Sequence, residues 1–227
     1  MEGMHQMHFK WLLGIVAISA FATTCRAQYR VLPGTTDSDG CEPTTPARIC
    51  LGATGEAHCY APPNDKYGDS SDEQYIFGLE PKAKVVGRLN GRDLILFTAM
   101  FSGCGSGTLT HFTLLTVRDG EFVNLLPKVE LTNQSEYKFW TLPQISGLPV
   151  LVTADFIWGS DPNESHFAPH HYSVSVYAFD GKIGRYLRLV RYETTKKYPG
   201  LDDADEIHVL GAERPIVLAK LRHGQIN

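Results

Sequence analysis

The sequence predicts an all-β protein built of antiparallel meanders, held by disulfides and containing little helix. Strand-length apolar runs recur from Tyr75 onward, Asp-Gly dipeptides separate several of them, and no segment repeats its apolar residues with helical period beyond one turn near Leu201–Ile207. The expected architecture is an open sandwich or a partial, propeller-like array. We divide the chain into a signal peptide (1–27), an irregular arm with a cysteine hairpin (28–72) and an all-β body (73–227).

The N-terminal region has the composition of an export signal. A short polar lead precedes an apolar stretch from Trp11 to Ala22, and the small residues around Cys25-Arg26-Ala27 suit cleavage before Gln28. The apolar stretch is shorter than the roughly twenty residues that a membrane-spanning helix needs. The sequence therefore predicts a secreted or periplasmic protein without a membrane span in the mature chain. Lipidation at Cys25 is the alternative, although residues 21–24 match a lipoprotein signal poorly.

The charge balance argues against strongly acidic partners. The chain carries 21 Lys and Arg against 25 Asp and Glu, a net charge of −4, which becomes −5 when residues 1–27 are removed. Its longest basic run is the pair Lys196-Lys197. A mildly acidic chain of this kind is not typical of nucleic-acid binding or of attachment to anionic membranes.

Four cysteines remain after the predicted signal: Cys41, Cys50, Cys59 and Cys104. An even number in an oxidising compartment predicts two disulfides, for which three pairings exist. The segment 48–60 has the pattern of a strand, a glycine turn and a returning strand. That hairpin would face Cys50 toward Cys59 and leave Cys41 for Cys104. A catalytic thiol or a cysteine-rich zinc site is disfavoured, because no two cysteines have close ligand spacing.

The first predicted meander unit of the body contains three strands. Leu94–Phe101 is nearly continuous in apolar residues, which indicates a strand buried on both faces. His111–Val117 alternates, and Asp119-Gly120 then separates it from Phe122–Leu126. Asp-Gly between apolar strands favours a type I′ turn, because both central positions of that turn need positive φ.

A second hairpin repeats this organisation. Asp180-Gly181 lies between the alternating segments Tyr172–Phe179 and Tyr186–Tyr192, and predicts another Asp-Gly turn. The opening strands also align, since Ile95–Gly103 and Val150–Gly159 share a Thr-Ala pair. We therefore predict a duplicated meander unit.

Arg214–Lys220 is the expected start of a third copy of this unit, cut short by the end of the sequence. Two or three units are too few for a closed propeller, which has at least four blades.

The unit, an apolar strand followed by an Asp-Gly hairpin, resembles the blade repeats of secreted FG-GAP and VCBS-type β-propeller proteins. Residues 158–172 and 194–199 also resemble an uncharacterised exported bacterial β-rich family. The resemblance covers about residues 75–227 and implies blade-like sheets. Calcium-binding blades carry an Asp-x-Asp-x-Asp-Gly loop, and only Asp37–Gly40, outside the repeat, comes close. The resemblance therefore implies no calcium.

The densest group of candidate metal ligands lies between residues 164 and 171. Glu164, His166 and His170 offer a carboxylate and two imidazoles, which suit Zn²⁺ or another divalent metal. A helical His-Glu-x-x-His site is excluded, because Pro169 interrupts the segment and no glutamate follows His166. The alternative interpretation is structural, with the loop folded against the sheet. We expect no cofactor unless this group binds a metal.

The favoured function is a non-enzymatic, extracytoplasmic binding module without catalytic residues. Loops on a rigid sheet scaffold commonly form contact surfaces, and here the loops are 102–108 and 159–170. The expected partner is an extracytoplasmic protein or glycan. Two alternatives remain, a metal-dependent hydrolase centred on 164–171 and an inhibitor of a secreted enzyme. The candidate ligand-binding residues are Asp155, Trp158, His166 and His170.

Overall fold

A computed structural model describes residues 29–52, 54, 55, 58–66, 74–104, 107–132, 134–157, 165, 168–199 and 208–223. The predicted signal peptide and the helical turn near Leu201–Ile207 lie outside these residues. Within them, antiparallel strands dominate and a single helix follows the last strand. The predicted all-β fold class is confirmed.

The arm contains more regular structure than its sequence suggests. Three strands form an antiparallel sheet in chain order, because the first strand pairs with the cysteine hairpin. A two-stranded ribbon follows and leads into the body. The strands of the arm and ribbon are β1 (Tyr29–Leu32), β2 (Arg48–Leu51), β3 (Cys59–Tyr60), β4 (Asp65–Lys66) and β5 (Gln74–Tyr75).

The body contains two larger antiparallel sheets. The five-stranded sheet has the order β10-β8-β7-β6, with β9 also paired to β8, and the four-stranded sheet has the order β11-β12-β13-β14. The first comprises β6 (Leu79–Leu89), β7 (Arg92–Ser102), β8 (Thr108–Arg118), β9 (Glu121–Asn124) and β10 (Val129–Thr132). The second comprises β11 (Glu136–Trp140), β12 (Val150–Ile157), β13 (His171–Asp180) and β14 (Arg185–Glu193), and helix α1 (Val209–Arg222) follows.

The layers stack because successive strand residues point to opposite faces. Leu94 and Leu96 of β7 face the four-stranded sheet, whereas Ile95 and Phe97 face the arm. Residues 94–99 are all buried, which confirms that this strand is covered on both faces. We name the two cores by their positions. The sheet–sheet core includes Leu94, Leu96, Phe112, Leu114, Leu151, Tyr177 and Tyr186, and the arm core includes Ile49, Phe77, Ile95, Phe97 and Leu115.

The four-stranded sheet is covered on both faces in the same way. Leu151 of β12 contributes to the sheet–sheet core, while its neighbour Val152 faces α1. The third core, which we name the helix core, lies between this sheet and α1 and includes Val152, Ala154, Phe156, Tyr172, Val174, Val176, Val190, Leu210 and Val217. Among the described residues, no helix combines the length and hydropathy needed to cross a bilayer.

Two short turns have left-handed residues at both central positions. Asp119 and Gly120 both have positive φ, at 54° and 82°, and connect the paired residues Arg118 and Glu121. Asn90 and Gly91 also have positive φ, at 50° and 79°, and they connect the paired residues Leu89 of β6 and Arg92 of β7. The Asp-Gly prediction at 119–120 is confirmed.

The turn prediction at Asp180-Gly181 is wrong, although the hairpin itself forms. The connection has four residues, because Asp180 pairs with Arg185 and the positive φ belongs to Gly184. The Asp180 carboxylate accepts the backbone N–H of Lys182 at 2.7 Å. The Asp180 backbone carbonyl accepts the N–H of Gly184 at 2.8 Å. This aspartate closes a longer loop with its side chain and does not occupy a central turn position.

The expected third repeat strand at Arg214–Lys220 is also wrong, because this segment lies inside α1. Gly211 and Pro215 are poor helix residues, and Glu213 interrupts the apolar face. Glu213 is nonetheless 1% exposed, and it accepts hydrogen bonds from the hydroxyls of Tyr192 at 2.8 Å and of Tyr198. Contacts with the sheet therefore stabilise a helix that local periodicity does not reveal.

The predicted disulfide pairing is confirmed. Cys50 bonds Cys59 within the β2–β3 hairpin, and Cys41 bonds Cys104 across 63 positions of sequence. The second bond ties the arm to the end of β7. Backbone hydrogen bonds reinforce this attachment, with the Gly34 N–H donating to the Gly78 carbonyl at 2.8 Å.

Candidate functional site

Asp155, one of the predicted ligand-binding residues, joins the two sheets of the body. Its side chain leaves β12 toward the five-stranded sheet, where it accepts the Thr132 backbone N–H at 2.9 Å and the Thr132 hydroxyl at 2.7 Å. The Ser135 hydroxyl donates to the same carboxylate oxygen. Asp155 is therefore an anchor that holds other side chains in place.

His170 lies on the other face of the four-stranded sheet. Its ring is 1% exposed and packs edge-on against Phe156 at 5.1 Å, and its Nε2 donates to the Ser165 carbonyl at 3.1 Å. Phe156 belongs to the helix core, whereas Asp155 points away from it. The structure therefore does not bring Asp155 and His170 together.

The other predicted site residues, Trp158, Glu164 and His166, lie outside the described residues, and the metal site stays a prediction. Within the described part of the chain, one group has metal-ligand spacing: Asp37, Cys41 and Cys104. Its two sulfurs are bonded to each other, so neither is a free thiolate. Asp37 also accepts the backbone N–H of Cys41 at 3.0 Å, which is a structural role.

A groove opens where the sheet–sheet core ends, and we name it the hydroxyl groove. The residues of β7 and β8 that face the four-stranded sheet are apolar in the centre, as at Leu96 and Leu114, and become polar toward one end. That change leaves a cleft of about 300 Å³. Its lining residues are Glu80, Lys82, Thr98, Met100, Thr108, Thr110, Phe112, Leu131, Thr132, Ser135 and Tyr137.

Tyr137 forms the aromatic wall of the hydroxyl groove. It projects from β11, is 43% exposed, and packs edge-on against Phe112 with ring centroids 4.8 Å apart. Trp140, three residues later on β11 and therefore on the opposite face, is buried in the helix core with the Arg214 guanidinium 5.3 Å from its ring centre. Tyr137 is thus the aromatic side chain that β11 offers to a ligand.

Two hydroxyls of the lining, on Thr132 and Ser135, have a fixed orientation. Thr132 and Ser135 both donate to Asp155, and their oxygens lie 3.2 Å apart. A hydroxyl has one proton and two lone pairs, so each oxygen that donates inward still offers lone pairs to a ligand. This part of the lining is therefore preorganised to accept hydrogen bonds.

The rim of the groove carries a strained segment of β6. Glu80 has a φ of 41°, a left-handed conformation that non-glycine residues seldom adopt, and the β6–β7 register shifts between Leu79 and Lys82. Lys82 pairs with Glu80 at 3.3 Å. Bulges and strained residues concentrate at functional sites, and here they bring a charged pair to the groove.

Sequence reasoning missed the threonines of the groove. Thr98, Thr110 and Thr132 lie in strands, where threonine is an ordinary residue. The predicted contact loop 102–108 adjoins the groove at Thr108, so the sequence indicated the neighbourhood but not the surface. The missing signal is that Thr98 and Thr110, on neighbouring strands, share one face of the five-stranded sheet. That shared face gains meaning only once the partner sheet is positioned.

A buried pair of His111 and Glu130 lies away from the groove, on the arm side of the five-stranded sheet. The Nδ1 of His111 is 3.7 Å from the Glu130 carboxylate, and its ring packs against Phe77 at 5.1 Å. His111 is 3% exposed. His111 is therefore a packing residue, whereas Glu130 is 18% exposed and also contacts Lys128.

Comparison with protein family models, with curated proteins and with solved structures finds no match for this chain. The resemblance to FG-GAP and VCBS repeats therefore stays a prediction, and function has to be argued from the geometry of the groove.

Proposed function

We propose that this protein is an exported, non-enzymatic binding module that holds a neutral carbohydrate in the hydroxyl groove. The observation that carries the proposal is the half-exposed ring of Tyr137 beside a cleft lined by five hydroxyl side chains, two of them oriented by Asp155. Export is supported by the composition of residues 1–27 and by two disulfides, which form in oxidising compartments.

The chemistry of the groove suits a sugar ring. A pyranose has C–H groups on its faces and hydroxyls around its rim, so it stacks on an aromatic ring while hydrogen-bonding at its edge. Tyr137 supplies the ring, and the threonine and serine hydroxyls supply donors and acceptors. A cleft that combines apolar or aromatic contact with a few oriented polar groups is typical of small-ligand sites.

The carboxylates near the groove favour binding over hydrolysis. Glycoside hydrolases commonly use two carboxyl groups that flank the bond to be broken. Among the described residues of the groove, Glu80 is paired with Lys82, and the adjacent Asp155 accepts three hydrogen bonds from one wall. Neither is arranged as a proton donor or a nucleophile toward the cleft.

Titration calorimetry with cellohexaose, xylohexaose and chitohexaose tests the proposal. We expect one of these oligosaccharides to bind, and Tyr137→Ala to weaken binding about tenfold, because an aromatic contact contributes about 1.5 kcal/mol. Thr110→Val, which removes one neutral hydroxyl, should weaken it about fivefold.

Ile183→Ala is the control, because Ile183 is another exposed large apolar side chain and lies in the β13–β14 loop, outside the lining of the groove. Its affinity should equal that of the unmodified protein. Failure of all three oligosaccharides to bind, or an unchanged affinity in Tyr137→Ala, contradicts the proposal.

A further inference from the structure

A second cleft lies at the opposite edge of the four-stranded sheet, beside β14. It has a volume of about 540 Å³, larger than the hydroxyl groove, and we name it the basic cleft. The loop after β9 forms one wall and the start of β14 the other. Its lining residues are Asn124, Leu126, Pro127, Lys128, Tyr177, Arg185, Tyr186, Leu187 and Arg188.

The charge of this cleft is opposite to that of the chain. Lys128, Arg185 and Arg188 line it, and no Asp or Glu is among its described lining residues, although the chain has a net charge of −4. Three cations around one concavity attract anions, and the low-dielectric walls strengthen that attraction.

The two arginines are available to a ligand. Within the described part of the chain, neither Arg185 nor Arg188 forms an ion pair, whereas Lys128 contacts Glu130 at 3.3 Å. Asp180 lies opposite Arg185 in the ladder, but its carboxylate accepts the backbone N–H groups of Lys182 and Ile183. The guanidinium charges are therefore not neutralised by the nearest acids.

A β-bulge places Arg188 in the cleft. Val176 pairs with Val190 and Tyr177 with Arg188, so Leu189 is an extra residue in β14. Alternation from Tyr186, which lies in the sheet–sheet core, directs Arg188 to that same side, and the bulge then returns Val190 to the helix core. Bulges commonly redirect a side chain beside a functional site.

The walls of the cleft are fixed before any ligand arrives. The Tyr186 N–H donates to the Leu125 carbonyl at 2.7 Å, and its hydroxyl donates to the Pro149 carbonyl at 2.9 Å. Asn124 accepts the Leu126 N–H at 2.9 Å and so closes the loop on the other side. Preorganisation of this kind lowers the entropic cost of binding.

We infer that the basic cleft binds a small, multiply charged oxyanion bearing phosphate or carboxylate groups. The guanidinium groups of Arg185 and Arg188 match the planar, two-oxygen edge of such groups, and the Lys128 ammonium adds a point charge. This site is separate from the hydroxyl groove, since β11 lines the groove whereas β14 lines the cleft.

Titration calorimetry at low ionic strength tests the inference with two probes, tripolyphosphate and citrate. Binding of tripolyphosphate alone assigns phosphate recognition, binding of citrate alone assigns carboxylate recognition, and binding of both assigns a general oxyanion site. We expect Arg188→Gln to weaken binding at least about tenfold, because a charge-assisted hydrogen bond contributes about 1.5–3 kcal/mol. Added salt should weaken it further.

Arg191→Gln is the matched control, because it removes the same charge from the same strand outside the lining of the cleft. The affinity of this variant for the two probes should stay within about twofold of that of the unmodified protein, because solvent screens charges outside the cleft. Equal losses in the two variants, each with unchanged thermal unfolding, would overturn the inference. So would the absence of binding by both probes.

Discussion

The carboxylate of Glu136 accepts the backbone N–H of Leu210 at 2.7 Å, across 74 positions of sequence. Leu210 is the second residue of α1, and the residue at the N-cap position, His208, makes no side-chain cap. The first N–H groups of a helix lack partners within the helix. A side chain from the edge strand of the sheet therefore supplies the cap that the local sequence omits.

Removing this cap should loosen the helix. We expect Glu136→Ala to lower the free energy of unfolding by about 2 kcal/mol, because a buried cap and a favourable charge at a helix N-terminus are both lost. Urea unfolding measures the change, and hydrogen exchange at Leu210 should accelerate.

Lys138→Ala is the control, since Lys138 contacts the same carboxylate at 2.5 Å but is half exposed. Because the Lys138 ammonium is half exposed, this ion pair should contribute less than about 1 kcal/mol. Equal destabilisation by the two variants would argue against capping by Glu136.

Glu213 is the second polar attachment of α1. We expect Glu213→Ala to destabilise the protein by about 3 kcal/mol, because the hydroxyls of Tyr192 and Tyr198 lose a charged acceptor in a buried place. Chemical unfolding and proteolysis at the C-terminal segment measure the effect. The control Glu193→Ala removes an exposed carboxylate of β14 and should change little. A Glu213→Ala variant as stable as this control would contradict the structural role.

The buried phenol of Tyr172 should make stability sensitive to alkaline pH. Burial, reinforced by the negative charges of Asp155 and Glu136, raises the pKa of Tyr172 to about 12 from 10.0. The unfolded chain therefore loses this proton at lower pH than the folded chain. The contribution to stability is complete below pH 10 and is lost as the pH rises toward 12.

Tyr172→Phe should reduce this loss, and urea midpoints measured from pH 7 to pH 12 test it. At neutral pH we expect little change, because the Tyr172 hydroxyl has no hydrogen-bond partner among the described residues. Parallel pH profiles for the variant and the unmodified protein would contradict the assignment, whatever the other tyrosines contribute.

Gly34 permits a close backbone contact within the arm. A Cβ at this position would lie 1.9 Å from the Thr45 carbonyl oxygen, so Gly34→Ala must displace backbone. We expect a loss of about 2 kcal/mol in unfolding free energy. Gly147→Ala is the control, because its Cβ would meet open space and its φ is not in the left-handed region. The thermal unfolding midpoint of Gly34→Ala should lie clearly below that of Gly147→Ala. Coincident unfolding curves would show that the backbone near Thr45 moves aside without a cost in stability.

The features that followed from the sequence are local ones. The strand pattern, the Asp119-Gly120 turn and the cysteine hairpin each depend on residues within a few positions of one another. Once Cys50 and Cys59 face each other, the remaining pairing is fixed by elimination. These predictions succeeded because the physics that decides them acts at short range.

Helix α1 could not be predicted in this way. Its sequence contains Gly211, Glu213 and Pro215, and the groups that offset them come from distant strands. Glu136 caps it from β11, and Tyr192 of β14 donates its hydroxyl to Glu213. Local propensity is a weak prior that tertiary contacts override.

The candidate site was only partly predictable. The sequence analysis singled out Asp155 as a ligand-binding residue, and the structure shows its carboxylate accepting hydrogen bonds from Thr132 and Ser135. Thr98 and Thr110 look like ordinary strand residues. They line a groove only because the four-stranded sheet ends beside them. The point at which two sheets stop overlapping cannot be predicted from the local sequence of either strand.

A chemical-shift titration of the isotopically labelled protein with the three hexasaccharides tests carbohydrate binding in the groove most directly. We predict that the amide signals which move belong to Thr98, Thr110 and Tyr137, and that those of β14 stay in place. Shifts confined to β14, or a spectrum unchanged by every sugar, would contradict a carbohydrate site between β8 and β11.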